Sequence, residues 1–489
     1  MSVPSSIQPA TAGPAVIRPA VSTAEIDASC RIPVLHFFLA ALSWLVFGSV
    51  LGLISSIKMH GSFLDQTPWL TYGRVWPAAM NAILFGFASQ AGLGVMVWLI
   101  ARLGRNAVSG VILPTFAGVL WNLGVATGVI AILAGMSTGY TWLEAPLAAA
   151  VLLIVAYALT GIWALIAFHQ RQTSELYVSQ WYILAALLWF PWLYVTAELL
   201  LVVAPVRGVM QAVVNGWFVN GFTQLWLGSA GLAALFYLIP KLLNRPLHSG
   251  SMAALGFWLL ALLGGFGGVP VGSPVPKWIP SLGVVTTVAL IVPLLAVLIN
   301  LFQTARGGQS AKSDDSMALK FALLGAVSYG VAMLAHIFEA TRTFGKLTQF
   351  TLFNSGVSHL FLFGFFGLTI FGAVNYIVPR LLEHDWARPG LSMIHFWLSV
   401  IGIFMTASGL IAGGFVQGGI IHDPSVSAVD AAKRIVPFLG VATLGWALLF
   451  LGSLAVLTNL KLTLFHFCRD RFSPRDWLAP LNDKAGRKS

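Results

Sequence analysis

Long apolar stretches follow one another along nearly the whole 489-residue chain, and no other feature constrains its fold as strongly. Crossing a ~30 Å hydrocarbon core as a helix takes roughly 20 apolar residues. Such runs fall roughly at 34–57, 77–102, 108–134, 145–169, 180–204, 213–239, 252–270, 282–303, 317–339, 352–379, 393–418 and 435–463. Lipid offers no partners to backbone polar groups, so only helices and closed barrels cross it, and the ~10-residue alternating segments of a barrel are not found here. The reading is an all-α integral membrane protein of about 12 transmembrane helices. Composition agrees: 58% of residues are hydrophobic and 9% are charged, against roughly 25% charged in soluble domains.

Lys and Arg set the orientation, because loops kept in the cytoplasm hold the excess. The termini and even-numbered loops carry roughly 19 of them and the opposite side roughly 8, so both termini are expected in the cytoplasm. The net charge of +11 then reflects topology and a basic tail near anionic headgroups, with no nucleic-acid partner. Residues 1–32, rich in Ser, Pro and Ala, read as a disordered cytoplasmic tail; 33–464 form one membrane domain; 465–489 are a basic cytoplasmic tail. Cys30 and Cys468 flank the membrane on the reducing side, so a disulfide is not expected.

Several stretches, in order, resemble subunit I of the heme-copper oxidases, most closely the cbb-type cytochrome c oxidases of bacteria. They include Trp69 to Phe87, with Pro77-Ala-Ala-Met-Asn81 at its centre, and Tyr177-Val-Ser-Gln-Trp-Tyr182. Phe236-Tyr-Leu-Ile-Pro-Lys241, Pro274-Val-Pro-Lys-Trp278, Gly356-Val-Ser-His-Leu360, Tyr376-Ile-Val-Pro-Arg-Leu381 and Ala412 to Gly418 continue the series. The resemblance implies a heme-copper oxidase subunit I-like bundle. Function lives in the site rather than in the fold, so the ligands decide what activity follows.

The family holds a low-spin heme by two His, a high-spin heme by one and a copper by three, one of these cross-linked to a Tyr. Where its helix-two His stands in a Pro-x-His-x-Asn context, this chain has Ala79. Its helix-ten His-x-His, first residue for the high-spin and second for the low-spin heme, matches His359-Leu-Phe361. The first copper ligand corresponds to Asn220, and the paired His of helix seven fall near Gly268-Val269. No Tyr occurs between Tyr237 and Tyr329. Of the ten His, His60, His248, His384, His422 and His466 fall outside the spans. His36, His169 and His395 fall at span ends, which leaves His336 and His359 inside.

Two readings of His359 stand. It ligates one heme b, with His336, Met80 or no residue opposite, or it is an imidazole hydrogen-bonded between helices. Copper is not expected. His336, Glu339 and Arg342 or Thr343 share a helix face near the outer interface. Glu198 is an isolated intramembrane carboxyl group and, with Asn215, Asn220 or Gln224, marks either a remnant polar cavity or proton path, or a buried structural hydrogen bond. Asn81, Gln90, Asn122 and Asn375 suit interhelical hydrogen bonds.

The function expected from the resemblance is a cytochrome c oxidase subunit I-like protein of a respiratory or electron-transfer assembly in a bacterial inner membrane. Its partners would be lipids and other membrane or cytochrome c-type subunits. It would retain at most one heme b and not reduce oxygen itself. The rival readings are a heme-free sensor, scaffold or transporter that reuses the bundle, and an active terminal oxidase, against which the missing ligands weigh.

Overall fold

The structure is a computed structural model and describes residues 21–306, 315–421, 423 and 425–471. Twelve helices carry the fold: α1 (Thr23–Lys58), α2 (Tyr72–Gly104), α3 (Ile112–Ala134), α4 (Leu147–His169), α5 (Val178–Val203), α6 (Met210–Leu242), α7 (Gly250–Leu263), α8 (Trp278–Arg306), α9 (Ser316–Ala340), α10 (Leu352–Leu382), α11 (Pro389–Ile421) and α12 (Ala428–Arg471). Eleven are long and apolar enough to span a membrane; α7, with 14 residues, is the shorter one.

α1 starts at Thr23, well before the expected 34, because Ser22 and Glu25 form a capping box: the Glu25 N–H donates to Ser22 Oγ (3.2 Å) and the Ser22 N–H to Glu25 Oε2 (2.8 Å). The tail read over 1–32 therefore becomes helix from Thr23 onward, and its first 20 residues lie outside the described ones. The first turns of α1 are held by buried Asp27, which accepts from Trp98 Nε1 (3.0 Å) and pairs with Arg102 (3.1 Å) at the end of α2. At the other terminus α12 continues as helix to Arg471, and residues 472–489 lie outside the described ones.

The helices are not equivalent. The most apolar windows of α2, α6 and α10 are 100%, 94% and 89% buried, against 33–50% for the other spans. These three form the centre, and the rest face lipid on one side. Apolar side chains gain little by leaving lipid for protein, so close packing and interhelical hydrogen bonds hold such a bundle. At the α11–α12 seam a Cβ on Gly402 would lie 2.8 Å from the Gly445 carbonyl oxygen, so only a small residue lets these backbones approach. Between α2 and α3, Gln90 and Asn122 exchange amide hydrogen bonds of 3.0 and 3.1 Å, as expected of interhelical ties. Asn375 instead bonds within its own helix, to the Phe371 carbonyl (2.8 Å).

Wide π-helical turns interrupt the three central helices at Ala82–Ser89, Phe222–Leu227 and Leu360–Gly367, and α5 ends in another, Leu199–Val203. Each begins within three residues of Ala79, Asn220, His359 or Glu198. Such turns are rare and concentrate at functional sites, and hydropathy periodicity does not reveal them.

Candidate functional site

The three positions where the resemblance puts metal ligands, Ala79, Asn220 and His359, fall one on each central helix. α10 separates two environments. On one side it faces α6 and α9; on the other His359 and Phe363 meet Trp446 of α12.

Phe361 points to the first side. Its ring lies 5.0 Å from Phe365 and 6.3 Å from Tyr329 of α9, and a Cβ on Gly228 of α6 would be 4.0 Å from it. Copper ligands would reach this side from α6 and α7, but the residues found there are committed to other tasks. Asn220 Nδ2 donates to the Gly264 carbonyl (2.9 Å) and so satisfies the C-terminal end of α7. α7 ends at Leu263, not at 270, because a Gly-Gly-Phe-Gly-Gly-Val-Pro run follows it. Gly268 thus lies in a loop at φ +93°, with its backbone against Gly216 of α6, where any Cβ would collide with the Gly216 carbonyl. A histidine has no room at that position. Phe361 is buried, Trp217 is half-buried against Trp192 (5.5 Å), and Phe266 is exposed.

His359 points to the second side. The resemblance aligned it with the high-spin ligand, whose place would be toward α6 and α7. Its ring instead lies 4.5 Å from Phe363 and 5.4 Å, edge to face, from Trp446 of α12, and Trp446 in turn meets Trp76 of α2 at 6.5 Å. This is the side that a ligand from helix two would share. Within α2, Ala79 is fully buried and carries only a methyl group. The His359 Nε2 is buried without a hydrogen-bond partner, a nitrogen lone pair or proton left unspent in a region where orphaned polar atoms are costly. That atom has the chemistry of an axial ligand, whereas the α6–α7 side offers no donor set for a copper.

His336 Nε2 is also buried and unpartnered, so no hydrogen bond joins it to His359. α9 stops at Ala340 with Thr341 extended, and Arg342 and Thr343 begin a separate short helix, Arg342–Thr348. The helix face expected through His336 and Glu339 therefore ends there. His395, expected at a helix start, is buried inside α11 because that helix begins at Pro389; its Nδ1 lies 2.9 Å from the Gly452 carbonyl. His36 is likewise inside α1, 3.5 Å from Asn122 Nδ2. Among the described residues, no three His, Cys, Asp or Glu side chains gather as a metal site.

Both Glu198 carboxylate oxygens are buried without a hydrogen-bond partner. Asn215 is tied to the backbone of Thr141 (2.9 and 3.1 Å) and Asn220 to Gly264, and Gln224 is buried, so no hydrogen bond among these joins them to Glu198. Tyr194, one turn before Glu198, is in electrostatic reach of both it and Glu144. Glu144 escaped the sequence reading because nothing periodic marks it in its loop. It accepts from Asn81 Nδ2 at 2.7 Å and ties that loop to α2; its burial raises the carboxyl above the usual range, partly offset by this bond.

The cytochrome c and quinol oxidase polypeptide I family matches residues 32–448, and the chain belongs to it. The cbb3-type cytochrome c oxidase subunit CcoN1 of Stutzerimonas stutzeri is 25% identical over 458 residues, covering 90% of this chain and 96% of the relative. A bacteroid cytochrome c oxidase subunit 1 homologue of Bradyrhizobium diazoefficiens is 23% identical over 448 residues, covering 86% and 80%. A heme-copper terminal oxidase dimer solved by electron cryomicroscopy shares the fold, with a TM-score of 0.70 at 14% identity over 91% of this chain and 84% of that one. The chain is thus a multi-span, cytochrome c oxidase subunit I-like membrane protein.

Proposed function

We propose that this chain is an oxidase-derived subunit of a respiratory or electron-transfer assembly that does not itself reduce oxygen and holds at most one heme b. The observation that supports this most is on the α6–α7 side, where Asn220 caps α7 and Gly268 lies against Gly216, leaving no place for copper ligands. His359 would hold the heme from the α12 side of α10, with no protein ligand at Ala79. A heme b there would supply one-electron transfer. His359 would fix its position, and Phe363 and Trp446 would shield that nitrogen from water.

The setting is a bacterial inner membrane with both termini in the cytoplasm, supported by the Lys and Arg distribution. Partners are lipids and other membrane or cytochrome c-type subunits, as expected of a protein whose relatives are named as subunits. A second reading, a heme-free sensor, scaffold or transporter, draws on the same two rings, which already pack against the imidazole.

Copper quantitation and an oxygen electrode test the proposal. Purified protein supplied with reduced cytochrome c is expected to contain no stoichiometric copper and to consume no oxygen. One copper per chain with oxygen uptake would overturn it.

A further inference from the structure

At the end of α6 that the Lys and Arg distribution assigns to the cytoplasm, the chain builds a basin apart from the site described above. Its volume is about 420 Å³. Leu103 of α2, Tyr177 before α5, and Tyr237, Pro240 and Lys241 of α6 line it, and the turn 244–247 closes it with Asn244 and Arg245. The turn is fixed by its backbone: Asn244 adopts the left-handed region at φ +50°, which Asn tolerates better than most residues, and the Arg245 N–H donates to the Pro240 carbonyl at 2.9 Å. Tyr177 is also held in place, its hydroxyl donating to the Phe236 carbonyl at 2.6 Å.

The charge of the basin is unbalanced. Neighbouring cations on this side are neutralised: Arg102 by Asp27 (3.1 Å), Arg380 by Asp315 (3.0 Å) and Arg31 by Glu383 (2.7 Å). Among the described residues, none of the ion pairs uses Lys241 or Arg245. Two cations outside these ion pairs and an exposed Asn amide, set over tyrosine, proline and leucine side chains at a membrane boundary, suit a phosphate group attached to an apolar tail. A pocket of this size also lies in the range that holds a small ligand. We propose that the basin binds the phosphate headgroup of an anionic phospholipid through Lys241 and Arg245.

Native mass spectrometry of the full chain in mild detergent, titrated with phosphatidylglycerol, phosphatidylcholine or inorganic phosphate, tests this. Wild type is expected to retain phosphatidylglycerol at least tenfold more strongly than phosphatidylcholine. Lys241→Gln/Arg245→Gln should lose that preference, whereas Arg388→Gln/Lys461→Gln, which removes equal charge from the same side, should keep it. Leu247→Trp, which fills the basin and leaves both cations in place, should lose it too and serves if the double variant does not fold. Equal losses in the two double variants, or undiminished binding in Leu247→Trp, would overturn the site. Inorganic phosphate displacing the lipid at equal concentration would overturn the lipid as its occupant.

Discussion

The two sides of α10 are built in different ways. Toward α6 and α7, the positions that would face a copper have been absorbed into the architecture: Asn220 caps a shortened helix, Gly268 presses on Gly216, and Phe361 packs with Phe365. Toward α12, the His359 Nε2 is buried without a partner, and α2 carries only the buried methyl group of Ala79 where the resemblance puts a ligand. On the first side a histidine restored at Gly268 would meet the Gly216 carbonyl, whereas the second side offers one unspent donor atom, His359 Nε2. π-helical turns interrupt all three central helices, including α2 and α6, where Ala79 and Asn220 stand at positions the resemblance gives to ligands.

The strongest challenge to this contrast is at Gly268. Gly268→Ala adds a Cβ both at φ +93° and into the Gly216 carbonyl, and is expected to cost about 2–4 kcal/mol, read as a sharp loss of monodisperse protein after detergent extraction. Wild-type yield and melting in this variant would mean that the α6–α7 side is looser than described. Asn220→Ala removes the bond to Gly264 and is expected to lower stability by about 1–2 kcal/mol, visible in a thermal melt. Asn220→His should cost a similar amount without recruiting copper; stoichiometric copper in that variant would break the comparison.

The smallest effect concerns the loop that Glu144 ties to α2. Its carboxyl is raised by burial, so the folded protein binds the proton more tightly than the unfolded chain does. The stability it contributes is complete below the unfolded value and is lost as pH rises through the folded one. Glu144→Gln, which can still accept from Asn81, should flatten that decline in melting temperature above about pH 4.5, the ordinary carboxyl value. An unchanged slope would remove Glu144 from the account.

Hydropathy made the helices legible because each must cover the same apolar thickness. It misplaced their ends where polar residues inside a helix are satisfied by tertiary partners. Thr23 to Arg31 read as a tail because Asp27 looks solvated until Trp98 and Arg102 are seen beside it. The length of α7 was missed for a related reason: its apolar run continues past the glycines that end it. That Ala79 and Asn220 stand where the resemblance puts ligands was legible from residue identity alone. Which way His359 faces was not, since a two-residue shift along α10 moves a side chain roughly 200° around the helix, and the π-helical turn that follows is invisible to sequence periodicity.

Heme content is the decisive measurement. Pyridine-hemochrome quantitation on protein purified in mild detergent is expected to give one heme b per chain in wild type, none in His359→Ala and an unchanged amount in His336→Ala. Two hemes per chain, or full retention in His359→Ala, would contradict an α10 that has kept a single ligand, on its α12 side.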